Sequence, residues 1–435
     1  MRNIIAIVGR PNVGKSTFFN RLTESKEAIV DEKAGVTRDR HYGVSIWNGK
    51  EFSVIDTGGY VVNSDDVFEV EIRKQVELAI AESDIILFLV DVNAEITDME
   101  IAIAEILRKS KKKTFVVVNK VDTPAHTHLI HEFYKLGLGE LYPISSANGS
   151  GTGDLLDAVV KELPNDAEVD ANDDIPKFAI VGRPNVGKSS LANALIGEDR
   201  NIVTPIAGTT RDAIGTRFNK FGMDIYFIDT AGLRKKKNVT EDLEFYSVLR
   251  TIKAIENSDV CLLLIDATIG FESQDMNIFH LIEKNHKGVV ICVNKWDLVE
   301  KDHKTALEYE TIIRKELEPY KDVPIVFTST IDKTRILKVL NIAIQVYKNR
   351  SQKIKTRELN DFLLPIIENY PPPALKGKMV HIKFANQLPT HWPCFALYCN
   401  YPKYIPESYR RFIENKLREQ YNFTGVPVTV YFREK

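Results

Sequence analysis

The octapeptide GRPNVGKS occurs twice in this chain, at residues 9–16 and again at 182–189. Each copy fits G-x-x-x-x-G-K-[ST], a glycine-rich loop that cradles phosphates between a strand and the helix that follows it. Two identical octapeptides do not arise by chance, so the chain reads as a tandem repeat. The repeat continues downstream in register. GVTRD at 35–39 returns as GTTRD at 208–212, and DTGG at 56–59 as DTAG at 229–232, both at an offset of 173. NKVD at 119–122 returns as NKWD at 294–297, offset 175, so two residues are inserted between the third and fourth motifs.

A length of 435 residues suggests about three domains. The repeats supply two, residues 1–164 and 176–350. An Asp- and Glu-rich stretch at 165–175 reads as a solvated linker that lets the two sheets reorient. Residues 351–435 form a third, smaller domain. In each copy, near-continuous Val- and Ile-rich runs alternate with amphipathic segments. The runs are IIAIV, FSVID, IILFLVD and TFVVVNK, then FAIV, IYFID, VCLLLID and VVICVNK. Such runs are expected for parallel strands covered on both faces, which predicts a doubly wound α/β sheet with ligands at the strand carboxyl ends. All four motifs fall at such ends. Amphipathic helices are expected over 67–82 and 241–256.

Composition bounds the class. Hydrophobic content of 44% and charged content of 27% are those of a globular protein. The net charge of −2 hides an asymmetry: residues 351–435 hold 13 Lys and Arg against 7 Asp and Glu, a net of +6, which leaves −8 on the rest. A basic tail on an acidic body points to a polyanionic partner. The cysteines, Cys261, Cys292, Cys394 and Cys399, include no C-x-x-C pair, so they read as reduced structural thiols and indicate neither zinc nor a redox couple. The short apolar stretch at the N-terminus runs into the phosphate loop and reads as a strand, not a signal peptide. No run approaches the ~18 apolar residues of a membrane span. A cytoplasmic monomer is expected.

The chemistry follows motif by motif. In the first loop Gly9, Arg10, Pro11, Asn12, Val13, Gly14, Lys15 and Ser16, with Thr17 behind them, are expected to wrap phosphates through backbone N–H groups at a helix N-terminus. Gly182, Arg183, Pro184, Asn185, Val186, Gly187, Lys188, Ser189 and Ser190 do the same in the second. Lys15 and Lys188 pair with the β- and γ-phosphates, and Ser16 and Ser189 offer hydroxyls to Mg²⁺. Asp56 and Asp229 open D-x-x-G at strand ends, placed to hold Mg²⁺. Thr57, Gly58 and Gly59, like Thr230, Ala231 and Gly232, follow the γ-phosphate. Thr37 and Thr210 supply a second hydroxyl to the metal. This is the order–disorder switch logic of GTPases.

N-K-x-D selects the base. Asp122 and Asp297 are carboxylates that only accept hydrogen bonds, and guanine offers N1–H and its 2-amino group as paired donors where adenine does not. GTP is therefore expected over ATP by several kcal/mol. Asn119, Lys120 and Val121, like Asn294, Lys295 and Trp296, brace that loop, with the Lys stems on the purine. A last motif is expected under the guanine O6, at Ser145, Ser146 and Ala147 in the first copy and at Ser329 and Thr330 in the second. Where many P-loop GTPases carry a water-orienting Gln after D-x-x-G, this chain has Tyr60 and Leu233. Asn12 and Asn185 are candidate ligands for a monovalent cation that offsets developing charge in its place. Asn12, Lys15 and Thr37, with Asn185, Lys188 and Thr210, are thus the candidate catalytic residues.

With two loops of GRPNVGKS, the TRD, DTGG/DTAG and NKVD/NKWD motifs, PPP at 371–373 and PESYRRFIENKLRE at 406–419, the whole chain resembles the Der (EngA) family of bacterial tandem GTPases. The resemblance implies GTP hydrolysis promoted by K⁺, a KH-like third domain, and a role in assembly of the large ribosomal subunit, with its rRNA as partner and nucleotide state controlling binding. The last motif departs from the family's Ser-Ala pattern, and in the second copy its following Gly is missing, Lys333 lying near that place. Within the third domain, helices are expected over 356–369 and 407–421 and strands over 379–384, 395–399 and 426–432. Tyr409, Phe412, Ile413, Leu417 and Tyr421 share one face at helical spacing and read as core, while Arg410, Arg411 and Arg418 lie off it and are free for phosphates. Gly377 and Gly425 are the only glycines there, so the G-x-x-G clamp of ordinary KH domains is absent, and docking on the second repeat is the alternative. The RKSKKK run at 108–113 reads as a solvated face, and the RKKK run at 234–237, just after the second D-x-x-G, as solvated or as an RNA or interdomain contact. Two other readings remain: a tRNA-modifying GTPase, which shares the loop but lacks a second copy, and a scaffold in which one copy holds nucleotide without turnover.

Overall fold

A computed structural model describes residues 3–23, 42–56, 76–80, 83–163, 175–196, 215–228 and 244–434, apart from single positions within these segments. Residues 24–41, 57–75, 164–174, 197–214 and 229–243 lie outside them. They include the linker, the RKKK run, Thr37, Thr210, Thr57–Tyr60 and residues 229–233.

Each repeat builds a six-stranded sheet. The first has the order β2-β3-β1-β4-β5-β6, with β1 Asn3–Val8, β2 Tyr42–Trp47, β3 Lys50–Asp56, β4 Ile85–Asp91, β5 Lys113–Asn119 and β6 Leu141–Pro143. The second runs β8-β9-β7-β10-β11-β12, with β7 Lys177–Gly182, β8 Thr216–Lys220, β9 Met223–Ile228, β10 Val260–Asp266, β11 Gly288–Asn294 and β12 Ile325–Phe327. The orders match strand for strand. Only the edge strands β2 and β8 run antiparallel. All seven residues of β4 and of β10 are buried, as expected for strands with helices on both sides.

The pleat sends alternate residues of β1 to opposite cores. Ile5 and Ile7 meet Phe18 and Leu22 of α1 (Lys15–Thr23) and Leu155 and Val159 of α3 (Thr152–Glu162). Ala6 and Val8 meet Ile103 and Leu107 of α2 (Asp98–Ser110). In the second repeat α4 (Lys188–Ile196), α5 (Glu244–Glu256), α6 (Ser273–Lys284), α7 (Thr305–Glu316) and α8 (Ile336–Ser351) complete the fold. The helix expected over 241–256 is α5; most of 67–82 lies outside the described residues.

The third sheet, β13 Ile382–Gln387, β14 Cys394–Cys399 and β15 Thr429–Glu434, packs one face against α9 (Thr356–Asn369) and α10 (Glu407–Gln420). Tyr409, Ile413, Leu417 and Tyr421 are buried there and Phe412 partly so, as the helical spacing predicts. Two strands begin about three residues later than expected. The Asn400 side chain takes the His381 N–H at 2.8 Å and donates to the Met379 carbonyl at 3.1 Å, which diverts 379–381 from the ladder. Residues 425–428 are diverted onto the second repeat, and Pro427 has no N–H to give a strand.

That contact joins most of the second repeat and the third domain in one compact unit, Ala171–Leu243 with Arg250–Lys435; the other comprises Met1–Asp170 and Glu244–Leu249. Gly425 accepts from the Val289 N–H at 2.8 Å and donates to the Asp322 carbonyl at 3.1 Å. A Cβ on Gly425 would stand 2.9 Å from the Val289 carbonyl oxygen, which only glycine avoids. Trp392 stacks on His286 with ring centres 4.6 Å apart. Arg418 corrects an expectation: instead of facing phosphates it pairs with Asp322 and donates to the carbonyls of Phe423 at 3.2 Å and Val426 at 2.8 Å. Arg410 lies 3.4 Å and Arg411 3.8 Å from Glu407 on the same helix. All four cysteines are free and buried. Burial pushes the Cys261 thiol up to about 11 and Cys292 to about 12, out of reach of thiolate chemistry at neutral pH.

Candidate functional site

Both phosphate loops leave the carboxyl end of a central strand, β1 or β7, and enter α1 or α4. Each turns at an asparagine in the left-handed region, Asn12 at φ 64° and Asn185 at φ 62°, a conformation that Asn tolerates better than most residues. Gly14 and Gly187 pack so tightly against the side-chain amides of Asn119 and Asn294 that no Cβ fits. The loops are thus shaped by the base-side N-K-x-D motif as well as by their own sequence.

Lys15 is buried and its Nζ folds back onto its own loop, donating to the carbonyls of Gly9 at 2.9 Å and Arg10 at 2.8 Å. Lys188 repeats this on Gly182 at 2.6 Å and Arg183 at 2.5 Å. Burial pulls the Lys15 ammonium down to about 8; Asp56 opposes the shift and Arg10 adds to it. A buried cation short of counter-charge is a built-in attractor for an anion. Beside it, Ser16 Oγ donates to Oδ2 of the buried Asp56 at 2.7 Å, which brings together two expected metal ligands from the first and third motifs. Ser189 is described without its partner motif, because Asp229 lies outside the described residues.

The N-K-x-D residues lock phosphate loop and base loop together. Asn119 donates to the Val13 carbonyl at 2.8 Å while its Oδ1 accepts from the Ser146 N–H at 2.9 Å and hydroxyl at 2.8 Å. Asn294 donates to the Val186 carbonyl at 2.8 Å and accepts from the Thr330 N–H at 3.2 Å. Ser146 and Thr330 therefore occupy equivalent places, as do Ser145 and Ser329. Asp122 Oδ1 accepts from Ser145 Oγ at 2.6 Å. Asp297 Oδ1 is buried and has no hydrogen-bond partner among the described residues.

Some functional neighbours escape motif reading. Lys120 Nζ binds Asp91 at 2.6 Å and the Asn12 carbonyl at 3.0 Å, and Lys295 Nζ binds Asp266 at 2.5 Å. Burial alone would raise the Asp266 carboxyl, but Lys295 and the Thr268 donors outweigh it and hold it below the usual range. A signal was present, since IILFLVD and VCLLLID both end in Asp at matching strand ends. The side chains of Arg10 and Arg183, expected at the phosphates, are turned toward the helix that follows β4 or β10. Arg10 meets the buried Glu100 of α2 at 3.0 Å. Arg183 meets Asp275 of α6 at 2.9 Å, Glu272 at 2.5 Å and the Gly270 carbonyl at 3.0 Å. The Arg183 guanidinium is thus committed through Nε, Nη1 and Nη2, whereas Arg10 is held through Nε alone.

Comparison with known proteins agrees with this doubled geometry. A family model described as a 50S ribosome-binding GTPase matches residues 4–120 and again 177–295. A second, described as the C-terminal KH-domain-like part of EngA bacterial GTPase enzymes, matches 353–433. Curated relatives named GTPase Der match end to end. That of Christiangramia forsetii is 60% identical over 435 residues, covering 100% of both chains. That of Flavobacterium johnsoniae is 59% identical over 434 residues, covering 100% of this chain and 99% of the relative. That of Phocaeicola vulgatus is 58% identical over 437 residues, covering 100% of both.

The chain belongs to the Der GTPase family. It is a GTP-binding switch protein that hydrolyses GTP, with two P-loop domains and a KH-like third domain. The two matched GTPase segments account for the duplication of every motif, the switch motifs at 35–39 and 208–212 and at 56–59 and 229–232 included. No helix among the described residues is long and apolar enough to cross a membrane.

Proposed function

We propose that the protein is a guanine-nucleotide switch with one site in each repeat, acting in assembly of the large ribosomal subunit. The observation that carries the nucleotide reading is Asp297, a carboxylate with a buried oxygen that lacks a donor among the described residues. An unpaired buried acceptor of this kind costs about 1–3 kcal/mol or more, and the N1–H and 2-amino donors of guanine would relieve it. Asp122 is the counterpart in the first repeat. Backbone N–H groups of residues 9–16 and 182–189 would hold the phosphates, with Lys15 and Lys188 leaving their own carbonyls to meet the β- and γ-oxygens.

Mg²⁺ fits the first site: a hydroxyl and a carboxylate already in contact, Ser16 and Asp56, suit a small hard cation that takes its remaining ligands from phosphate and water. Among the described residues no group of three or more His, Cys, Asp and Glu side chains is placed to hold a metal ion. Thr37 would complete the ion's protein ligands in the first repeat, and Ser189, Asp229 and Thr210 would hold the ion of the second. Bound there, the ion would neutralise charge on the transferring phosphoryl group. The side chains of Asn12 and Asn185 are exposed at the turn of each loop. They are free to hold K⁺ against the phosphates, the role left open by Tyr60 and Leu233.

The ribosomal reading is supported by the description of the family model that matches both repeats and by the net positive charge of residues 351–435. It places the protein in the cytoplasm, with large-subunit rRNA as its polyanionic partner. Co-sedimentation with large ribosomal subunits tests it. Binding is expected with a non-hydrolysable GTP analogue and loss of binding with GDP. Equal sedimentation in both states, or none in either, would refute the switch.

A further inference from the structure

The two repeats differ behind the base loop. In the first, Arg21, in the last turn of α1, donates through Nε to the Ser146 carbonyl at 2.6 Å and through Nη2 to the Ala147 carbonyl. The planar guanidinium fork suits two neighbouring acceptors. It lies against Gly149, where a Cβ would stand 2.8 Å from Nη1. In the second repeat the position 173 residues on is Ala194, and Lys333 stands where Gly149 would. The arginine and the glycine that makes room for it are exchanged together.

Holding those carbonyls fixes what the other side of the loop presents. In a trans peptide the carbonyl and the N–H of the same unit point in opposite directions. With the Ser146 carbonyl drawn toward α1, the Ala147 N–H is turned away from it. The neighbouring N–H groups are already committed: Ser146 to Asn119 at 2.9 Å and Asn148 to Ser145 Oγ at 3.2 Å. The Ala147 N–H makes no hydrogen bond among the described residues. It is the one donor of the three left for a ligand acceptor, next to the carboxylate of Asp122 that would accept from the base.

We infer that Arg21 is a positioning residue of the first site. From the helix that carries Lys15 and Ser16 it aims the Ala147 N–H at O6 of the guanine. This couples base reading to the phosphate helix in the first repeat and not in the second. The inference rests on the proposed reading of residues 145–147 as the base loop.

The test uses the full-length chain in a Lys188→Ala background, which silences the second site, and two ligands, GDP and 6-thio-GDP. The latter keeps N1–H and the 2-amino group but replaces O6 by a weakly accepting sulfur. Arg21→Ala is expected to weaken GDP on the order of tenfold, the factor that corresponds to ~1.4 kcal/mol. It should leave 6-thio-GDP nearly unchanged, so that the preference for GDP collapses. Arg21→Lys, which can hold one carbonyl, should fall between. Equal weakening of both ligands would show general loosening of α1 and overturn the inference, as would unchanged GDP binding. If the chain with Arg21 intact does not prefer GDP over 6-thio-GDP, the base-loop reading itself fails and takes this inference with it.

Discussion

In the first repeat Asp122 already accepts a hydrogen bond from Ser145, Asn119 holds Ser146 twice and Arg21 grips the base loop from behind. In the second, Asp297 keeps an oxygen without a partner among the described residues, Asn294 holds Thr330 once and Ala194 replaces the arginine. On the phosphate side the order reverses. Arg10 makes one bond, to the next helix, whereas Arg183 makes three, to Asp275 of α6 and to Glu272 and the Gly270 carbonyl just before it. Identical octapeptides are thus stiffened from opposite ends, at the base in one copy and at the phosphates in the other. Sequence identity within a loop does not make two sites equivalent, because the residues that fix a loop lie elsewhere in the fold.

The largest way to break this contrast is at the arginines. Arg183→Ala leaves the fully buried Asp275 without its cation, and burial already pushes that carboxyl up, so ~3–5 kcal/mol of stability should go. Arg10→Ala removes a single contact from Glu100 and should cost less. Denaturant unfolding of both variants checks the order; a larger loss for Arg10→Ala would contradict it. Next come the asparagines. Asn119→Ala orphans the Val13 carbonyl and the Ser146 donors, and at about 1–3 kcal/mol per buried group GDP affinity at the first site should fall roughly a hundredfold or more. Asn294→Ala breaks one bond fewer and should lose less at the second, measured by site-resolved nucleotide titration.

The smallest effect is on pH. The folded Lys15 titrates at about 8 against 10.5 ordinarily, so between these values the unfolded chain binds a proton that the nucleotide-free fold does not. Stability of the nucleotide-free first unit should therefore rise with pH across that window. Bound phosphates pull the proton back, so GDP binding should take up a proton at pH 8.5, and affinity should fall by at most tenfold per pH unit above about 8. Calorimetry in two buffers of different ionisation enthalpy detects the uptake; its absence would remove the assigned role of burial at Lys15.

The strands and motifs were legible in the sequence because long apolar runs ended in polar motifs at a fixed offset, and strand ends are where such sheets place ligands. Other features were not, for a physical reason. Arg10, Arg183 and Arg21 find partners 87 to 126 residues away, and no local periodicity records such a pairing. Asp91 and Asp266 could have been found from the repeat itself. Arg418 read as a free surface charge because helical spacing shows which face is apolar, not what covers the other. The shifted starts of β13 and β15 come from Asn400 and Gly425, side-chain and backbone bonds that compete with the ladder.

The central claim is that each repeat reads its own guanine through its own carboxylate. Nucleotide stoichiometry by equilibrium dialysis tests it most directly on the full-length wild type, Asp122→Asn and Asp297→Asn. Asparagine presents a donor where the carboxylate accepted, so each variant should bind one GDP and one xanthosine diphosphate, against two GDP for the wild type. Two GDP and no xanthosine diphosphate bound by either variant would contradict the account.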